Sequence, residues 1–277
     1  MGFVFKVYYN SGKEYFRWKS DSTFTNTKGE KQKDFELSQS LLDLLDLEIG
    51  DDYFKLCDRI GSEIQHLYEP NMEHNISFIR GSFDELAKRH IFFEFLRLDW
   101  YERIDRFEIG KCTKPREEMY YKDITHIPMN ILTWQSELKT IFSQALDVMS
   151  PDKSVQEKMS ALYSRKYGRS LPLFHFQSVA TVFERVDATT FAEVLHPKTI
   201  GEMIDFLLRT IIQQELTFKV CRSCGKYFPA TLSHGNSEYC NRLFKDTGKT
   251  CKEIGSVKVY QAKLEENPEY KAYNRAY

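Results

Sequence analysis

The stretch Cys221-Arg-Ser-Cys224-Gly-Lys-Tyr-Phe228, followed by Tyr239-Cys240 and Thr250-Cys251, decides how the end of this chain must fold. Four of the six cysteines fall within these thirty-one residues, spaced C-x2-C-x15-C-x10-C. Two thiolates two residues apart can reach one ion from a single tight turn, and Gly225 permits the backbone such a turn needs. A second pair must return from elsewhere to complete a tetrahedron of soft ligands. The pattern predicts one structural Zn2+ held by Cys221, Cys224, Cys240 and Cys251. His234, lying between the pairs, is the alternative ligand in a site of three cysteines and one histidine. Cys57 and Cys112 stand alone and read as small buried hydrophobes.

Working outward, 277 residues leave room for one large domain or two modest ones. An apolar fraction of 42% can build a sizeable core, and 29% charged residues fit a globular chain. The net charge of -1 supplies no global field toward nucleic acid or membrane. The charge is uneven, however. From Lys219 onward eleven Lys/Arg face six Asp/Glu, a net of +5, against -6 for the rest. No apolar run approaches the roughly 18 residues of a membrane span. The opening residues alternate instead of forming an apolar signal stretch, and Lys6 stands where a myristoylation motif wants Ser or Thr. Clustered cysteines in such a chain predict metal binding in a reducing cytoplasm.

Along the chain, Phe3 to Tyr9 and Tyr15 to Trp18 predict a hairpin across Asn10-Ser11-Gly12. Residues Ser20 to Lys33 read as loop. Leu37, Leu41, Leu44, Leu45 and Leu47 predict a helix starting near Asp34 and stopped by Gly50, with a second from Asp51 to about Tyr68. Ser82-Phe-Asp-Glu85 has capping-box spacing for a buried helix through Leu98, with His90 on an exposed turn. Further helices are expected over Ile131–Met149 and after Pro151, and 171–176 as extended chain or loop. Thr199 and Glu202 cap a last strong helix ending near Glu215, lined by Ile200, Met203, Ile204, Leu207, Leu208, Ile211 and Ile212. The expectation is a mainly α fold. A multi-helical body with a small N-terminal β-hairpin fills 1–198, and 199–277 holds a bracing helix, the four-cysteine zinc module and a C-terminal helix.

Cys221-x2-Cys224-Gly-Lys-Tyr-Phe228, Tyr239-Cys240, and Cys251 followed by Gly255, Lys258 and Tyr260 together resemble the CGNR zinc finger of bacterial regulators. The layout is also similar to an uncharacterised bacterial family, a domain of unknown function, in which a helical body leads into such a finger. Lys-Glu-Ile-Gly follows the last cysteine where that finger has Gly-Asn-Arg. The resemblance implies a treble clef: a knuckle from the first pair, a hairpin, and two ligands at the start of a helix.

Around the cysteines, Arg242, Lys245, Lys249, Lys252 and Lys258 could hold phosphates, and Tyr239 and Phe244 could stack on bases. Gly248-Lys249-Thr250 is not a phosphate loop, because the upstream glycine it requires is Leu243. Tyr270, Tyr273 and Tyr277 lie at helical spacing and offer a face to a protein partner. For catalysis, Arg169 and His175 have the spacing of some helical ribonuclease motifs, but Pro172 interrupts the helix such a motif needs. The sequence therefore predicts a non-enzymatic zinc-finger protein that binds DNA or RNA, in regulation. A protein-interaction scaffold stabilised by zinc is the other class.

Overall fold

The computed structural model of the chain describes residues 2–21, 29–69, 72, 74–164, 171–230 and 237–257, and of Asp246 the backbone alone. It divides into two compact units. Unit 1 is Met1–Ile141 with Arg165–Gln214, and unit 2 is Phe142–Ser164 with Glu215–Tyr277.

Unit 1 begins with the expected hairpin, β1 (Phe3–Asn10) and β2 (Lys13–Ser20), in register from Phe3 opposite Ser20 to Asn10 opposite Lys13. Ser11 and Gly12 both take positive φ, the geometry whose twist matches that of the flanking strands. β3 (Lys31–Glu36) adds to β2. Then come α1 (Gln39–Leu45), α2 (Asp51–His66), α3 (Ile76–Arg89), α4 (Ile91–Glu108), the single turns α5 (Pro115–Glu118) and α6 (Lys122–Thr125), and α7 (Ile127–Gln144). After α8 (Val155–Leu162), which belongs to unit 2, the chain makes β4 (Thr181–Arg185), β5 (Phe191–Leu195) and α9 (Ile200–Gln213).

The mainly α expectation is wrong: the fold is mixed α/β. The hairpin is part of a five-stranded antiparallel sheet in the order β3-β2-β1-β5-β4. One face of it, with Phe5, Val7, Phe16 and Trp18, packs on α4 through Phe5–Phe95 and Phe16–Phe92 ring contacts. The other face carries a small cluster of Tyr8, Val186, Ala192 and Val194, with Tyr15 stacked on Tyr8 at 4.9 Å. A strand alternates its side chains between faces, so a sheet that buries some apolar residues on each face hides more of them than a hairpin lying on a bundle.

Each missed element has a physical reason. β3 reads Lys-Gln-Lys-Asp-Phe-Glu and is almost wholly exposed, as a protected edge strand should be, so it carries little apolar signal. β5 pairs with β1 at Val7–Leu195, across nearly the whole intervening sequence, where no local pattern can report it. The helix expected from Asp34 is replaced by the end of β3, a left-handed turn at Ser38 (φ 81°) and the short α1. Ser82 does not start a helix; it is buried within α3, which is capped by Asn75 accepting from the Phe78 N–H at 3.1 Å.

His90 is also misplaced by the sequence expectation. It is 6% exposed, caps α4 by accepting from the Phe92 N–H at 3.2 Å, and sets Nε2 3.0 Å from the Ser40 carbonyl. The Thr199 cap of α9 stands, with the Glu202 N–H donating to Thr199 Oγ1 at 3.1 Å. No described helix is long and apolar enough to cross a membrane.

Unit 2 is built on the last residues of α7 and on α8. Phe142 meets the rings of Phe218 and Tyr227 at 4.6 and 5.4 Å, and the Phe218 N–H donates to the Leu146 carbonyl at 2.7 Å. Phe218 lies in β6 (Phe218–Val220), paired antiparallel with β7 (Tyr227–Pro229). Glu215 accepts from the Val155 N–H at the start of α8, at 2.6 Å, so the strand pair is tied to 142–164 by both apolar and polar contacts. A 3-10 turn (Lys245–Thr247) and a helix over 251–257, α10, complete the described part.

Candidate metal centre

The first cysteine pair sits on a knuckle between β6 and β7. The Gly225 N–H donates to the Cys221 carbonyl at 2.8 Å and the Cys221 N–H to the Lys226 carbonyl at 2.9 Å. Gly225 takes φ 73°, a region costly for any residue with a Cβ. The turn that the C-x2-C-Gly spacing implies is therefore present, with both side chains thrown to one side.

Cys240 returns on an irregular segment held to the knuckle. The Arg222 N–H donates to the Glu238 carbonyl at 3.0 Å, their side chains form an ion pair at 2.7 Å, and the Cys240 N–H points at Cys221 Sγ at 3.4 Å. Cys251 is the first residue of α10. Its N–H donates to the Arg242 carbonyl at 2.8 Å, and Leu243 and Thr250 form an antiparallel bridge that closes the loop between them. Thr250 and Glu253 make a full capping box there. The Glu253 N–H donates to Thr250 Oγ1 at 3.2 Å, and the Thr250 N–H to Glu253 Oε2 at 2.6 Å. The Thr-x-x-Glu signal in the sequence marks this helix start as plainly as Thr199 marks α9, yet the sequence reading did not use it.

The four sulfurs lie within 4.8 Å of one another, with Cys221, Cys240 and Cys251 buried and Cys224 half-buried. None is in a disulfide, and Cys224 and Cys240 Sγ are 3.7 Å apart. A tetrahedron of metal–sulfur bonds of about 2.3 Å has edges of about 3.8 Å, so the spacing is that of four ligands around one ion. Phe228, Tyr239 and Phe244 pack around the sulfurs and keep water away.

Ionisation at the cluster is uneven. Burial disfavours the Cys221 thiolate, but the N–H groups of Cys240, Cys224 and Ser223 outweigh it and hold this thiol down, at about 6. Burial, reinforced by the neighbouring sulfurs, pushes Cys251 far up. Four sulfurs this close cannot all carry charge without a cation between them. The donor set suits a soft or borderline divalent ion with a closed, four-coordinate shell.

Of the basic residues expected to contact phosphates, Arg242 is half-buried and donates to the Tyr227 carbonyl at 2.8 Å, which ties the second cysteine pair to β7. Lys245, Lys249 and Lys252 are exposed on the loop and first turn that lead into α10, with Lys245 Nζ 5.5 Å from the centre of the Phe244 ring. Lys258, His234 and the Tyr270-Tyr273-Tyr277 face lie outside the described residues, as does Arg169. His175 is exposed. Cys57 is fully buried as expected, and Cys112 is half-buried.

The fold and site thus define a mixed α/β chain carrying a four-cysteine centre able to hold a metal ion. Residues 175–277, which include β4, β5, α9 and the whole centre, match a family of unknown function, DUF6076. That match is to DUF6076 and not to a CGNR-type finger. No curated protein and no solved structure matches the chain.

Proposed function

We propose that the chain is a non-enzymatic zinc protein whose C-terminal module binds nucleic acid. The observation that carries the zinc reading is the meeting of four sulfurs, from two separate pairs, at the spacing of one tetrahedral shell. With every position filled by protein the ion has no site for water or substrate, so its role is structural. Binding such an ion contributes on the order of 10 kcal/mol to folding, which suits a segment with few apolar residues of its own.

The nucleic-acid reading is supported by Lys245, Lys249 and Lys252, three exposed cations on one loop and the helix start it leads into. Fluorescence anisotropy of the zinc-loaded protein with labelled DNA and RNA tests it. Affinity should fall steeply with salt, and changing the three lysines to Glu should flatten that dependence by about 0.9 in log–log slope per lost contact on duplex DNA. Absence of binding at low salt, or binding indifferent to the triple variant, would overturn it.

A protein-interaction scaffold is the second reading, favoured by Leu243 at 68% and Val220 at 52% exposure on the same module. Its signature would be a partner lost on Leu243→Asp while nucleic-acid binding stays absent.

A further inference from the structure

Unit 1 contains a concavity of about 590 Å³ between α4, the segment from α6 through α7, residues 174–177 and the start of α9. That size falls in the range of about 300–1,000 Å³ typical of small-molecule sites. Buried apolar side chains from three elements, among them Phe95, Ile127 and Ile200, line it. Trp134 on α7 forms a wall, half-exposed, with no ring partner among the described residues. An indole left half-open at a cavity is an unused stacking surface.

The charges around the cavity are an ion-paired set, two lysines and one further acid. Arg103 holds Asp99 at 2.9 Å and Asp123 at 3.5 Å, so these three are committed to one another. Lys122 and Lys198 also line the cavity and are exposed, and their ammonium groups have no carboxylate partner among the described residues; Lys198 meets Glu202 only through its backbone N–H, at 2.7 Å. The remaining acid is Glu137, whose carboxyl is raised by burial, against the opposing pull of His175. Glu137 thus adds one carboxylate to the lining, while the two lysines at the opening supply two cations beside the aromatic wall.

We propose that this cavity binds a small planar aromatic or heteroaromatic ring carrying an anionic group, the ring against Trp134 and the anion at Lys122 and Lys198. Both a mononucleotide phosphate and an aromatic carboxylate have this chemistry. The site lies wholly within unit 1, so its failure would leave the zinc module's reading untouched.

Isothermal titration of the full, zinc-loaded chain with AMP and with 4-hydroxybenzoate tests the assignment, with adenosine and inorganic phosphate as the separated halves. At least one of the first two should bind saturably and more tightly than either half, and the tighter of them identifies the anion. Trp134→Leu should weaken that binding about tenfold, the loss expected for one stacked ring, and Trp134→Phe should restore part of it. Lys198→Glu should weaken it severalfold. The proposal fails if neither compound binds at millimolar concentration, if phosphate alone binds as tightly as AMP, or if binding ignores Lys198→Glu.

Discussion

The ring of Tyr239 lies against the Cα of Gly255, so close that a methyl group at 255 would overlap its Cγ, Cδ1 and Cδ2. This contact joins the segment bearing Cys240 to the helix begun by Cys251, the two elements that supply the second half of the sulfur cluster. Glycine is needed here for space and not for backbone freedom, since Gly255 has an ordinary helical φ.

Gly255→Ala should therefore act on the metal centre from a distance. The added methyl must displace Tyr239, an overpacking cost of about 1–3 kcal/mol. Because the residue is in a helix, alanine's better propensity returns at most about 1 kcal/mol. Competition with a chromogenic chelator should show weaker metal retention. Tyr239→Leu combined with Gly255→Ala should restore much of it.

Thr250→Ala removes the Oγ1 that caps α10, and with it the bond from the Glu253 N–H and the bond to Glu253 Oε2, while the backbone N–H of residue 250 still reaches that carboxylate. The expected loss is about 1 kcal/mol, with Thr250→Ser close to the parent. Thr250 also precedes a proposed ligand, so the loss should appear as faster metal exchange of the last cysteine. Cadmium-113 NMR of the cadmium-substituted protein would read it.

Legibility in the sequence followed the range of the interactions. The cysteine spacing, the Ser11-Gly12 hairpin and the Thr199 cap are set by residues within a few positions of one another, and all three are where the pattern puts them. What was missed depends on distant partners. β5 becomes a strand by pairing with β1, and the alternation of Phe191-Ala-Glu-Val-Leu is too short to announce it alone. Phe142 and Leu146, which carry the β6–β7 hairpin of the metal module, lie more than seventy residues before it. The leucine period that suggested a helix from Asp34 was real for Leu41, Leu44 and Leu45. Leu37 is buried just outside α1, before the turn at Ser38.

The buried polar centre of unit 1 predicts two opposed pH effects. Glu14 on β2 accepts from the Ser38 N–H at 2.6 Å and from the Ser40 N–H and Oγ at 3.2 and 2.5 Å, while His90 meets the Ser40 carbonyl. Burial raises Glu14 from 4.5 to about 7 despite those donors, so the folded chain keeps a proton that the unfolded chain has released. Stability should thus fall as pH rises through that window, by roughly 3 kcal/mol from this group. His90 runs the other way. Burial lowers it from 6.5 to about 4, so its contribution is present above 6.5 and lost as pH falls toward 4. Urea unfolding across pH should show the parent-minus-variant slope negative for Glu14→Gln and positive for His90→Asn, which keeps a capping oxygen.

The central claim is that four sulfurs from one chain enclose one zinc ion. X-ray absorption at the zinc edge, with elemental analysis of protein purified without chelators, tests it most directly. One zinc per chain with four sulfur neighbours at about 2.3 Å is the predicted result. A folded protein free of metal with four titratable thiols, or a shell containing nitrogen or oxygen, would contradict it.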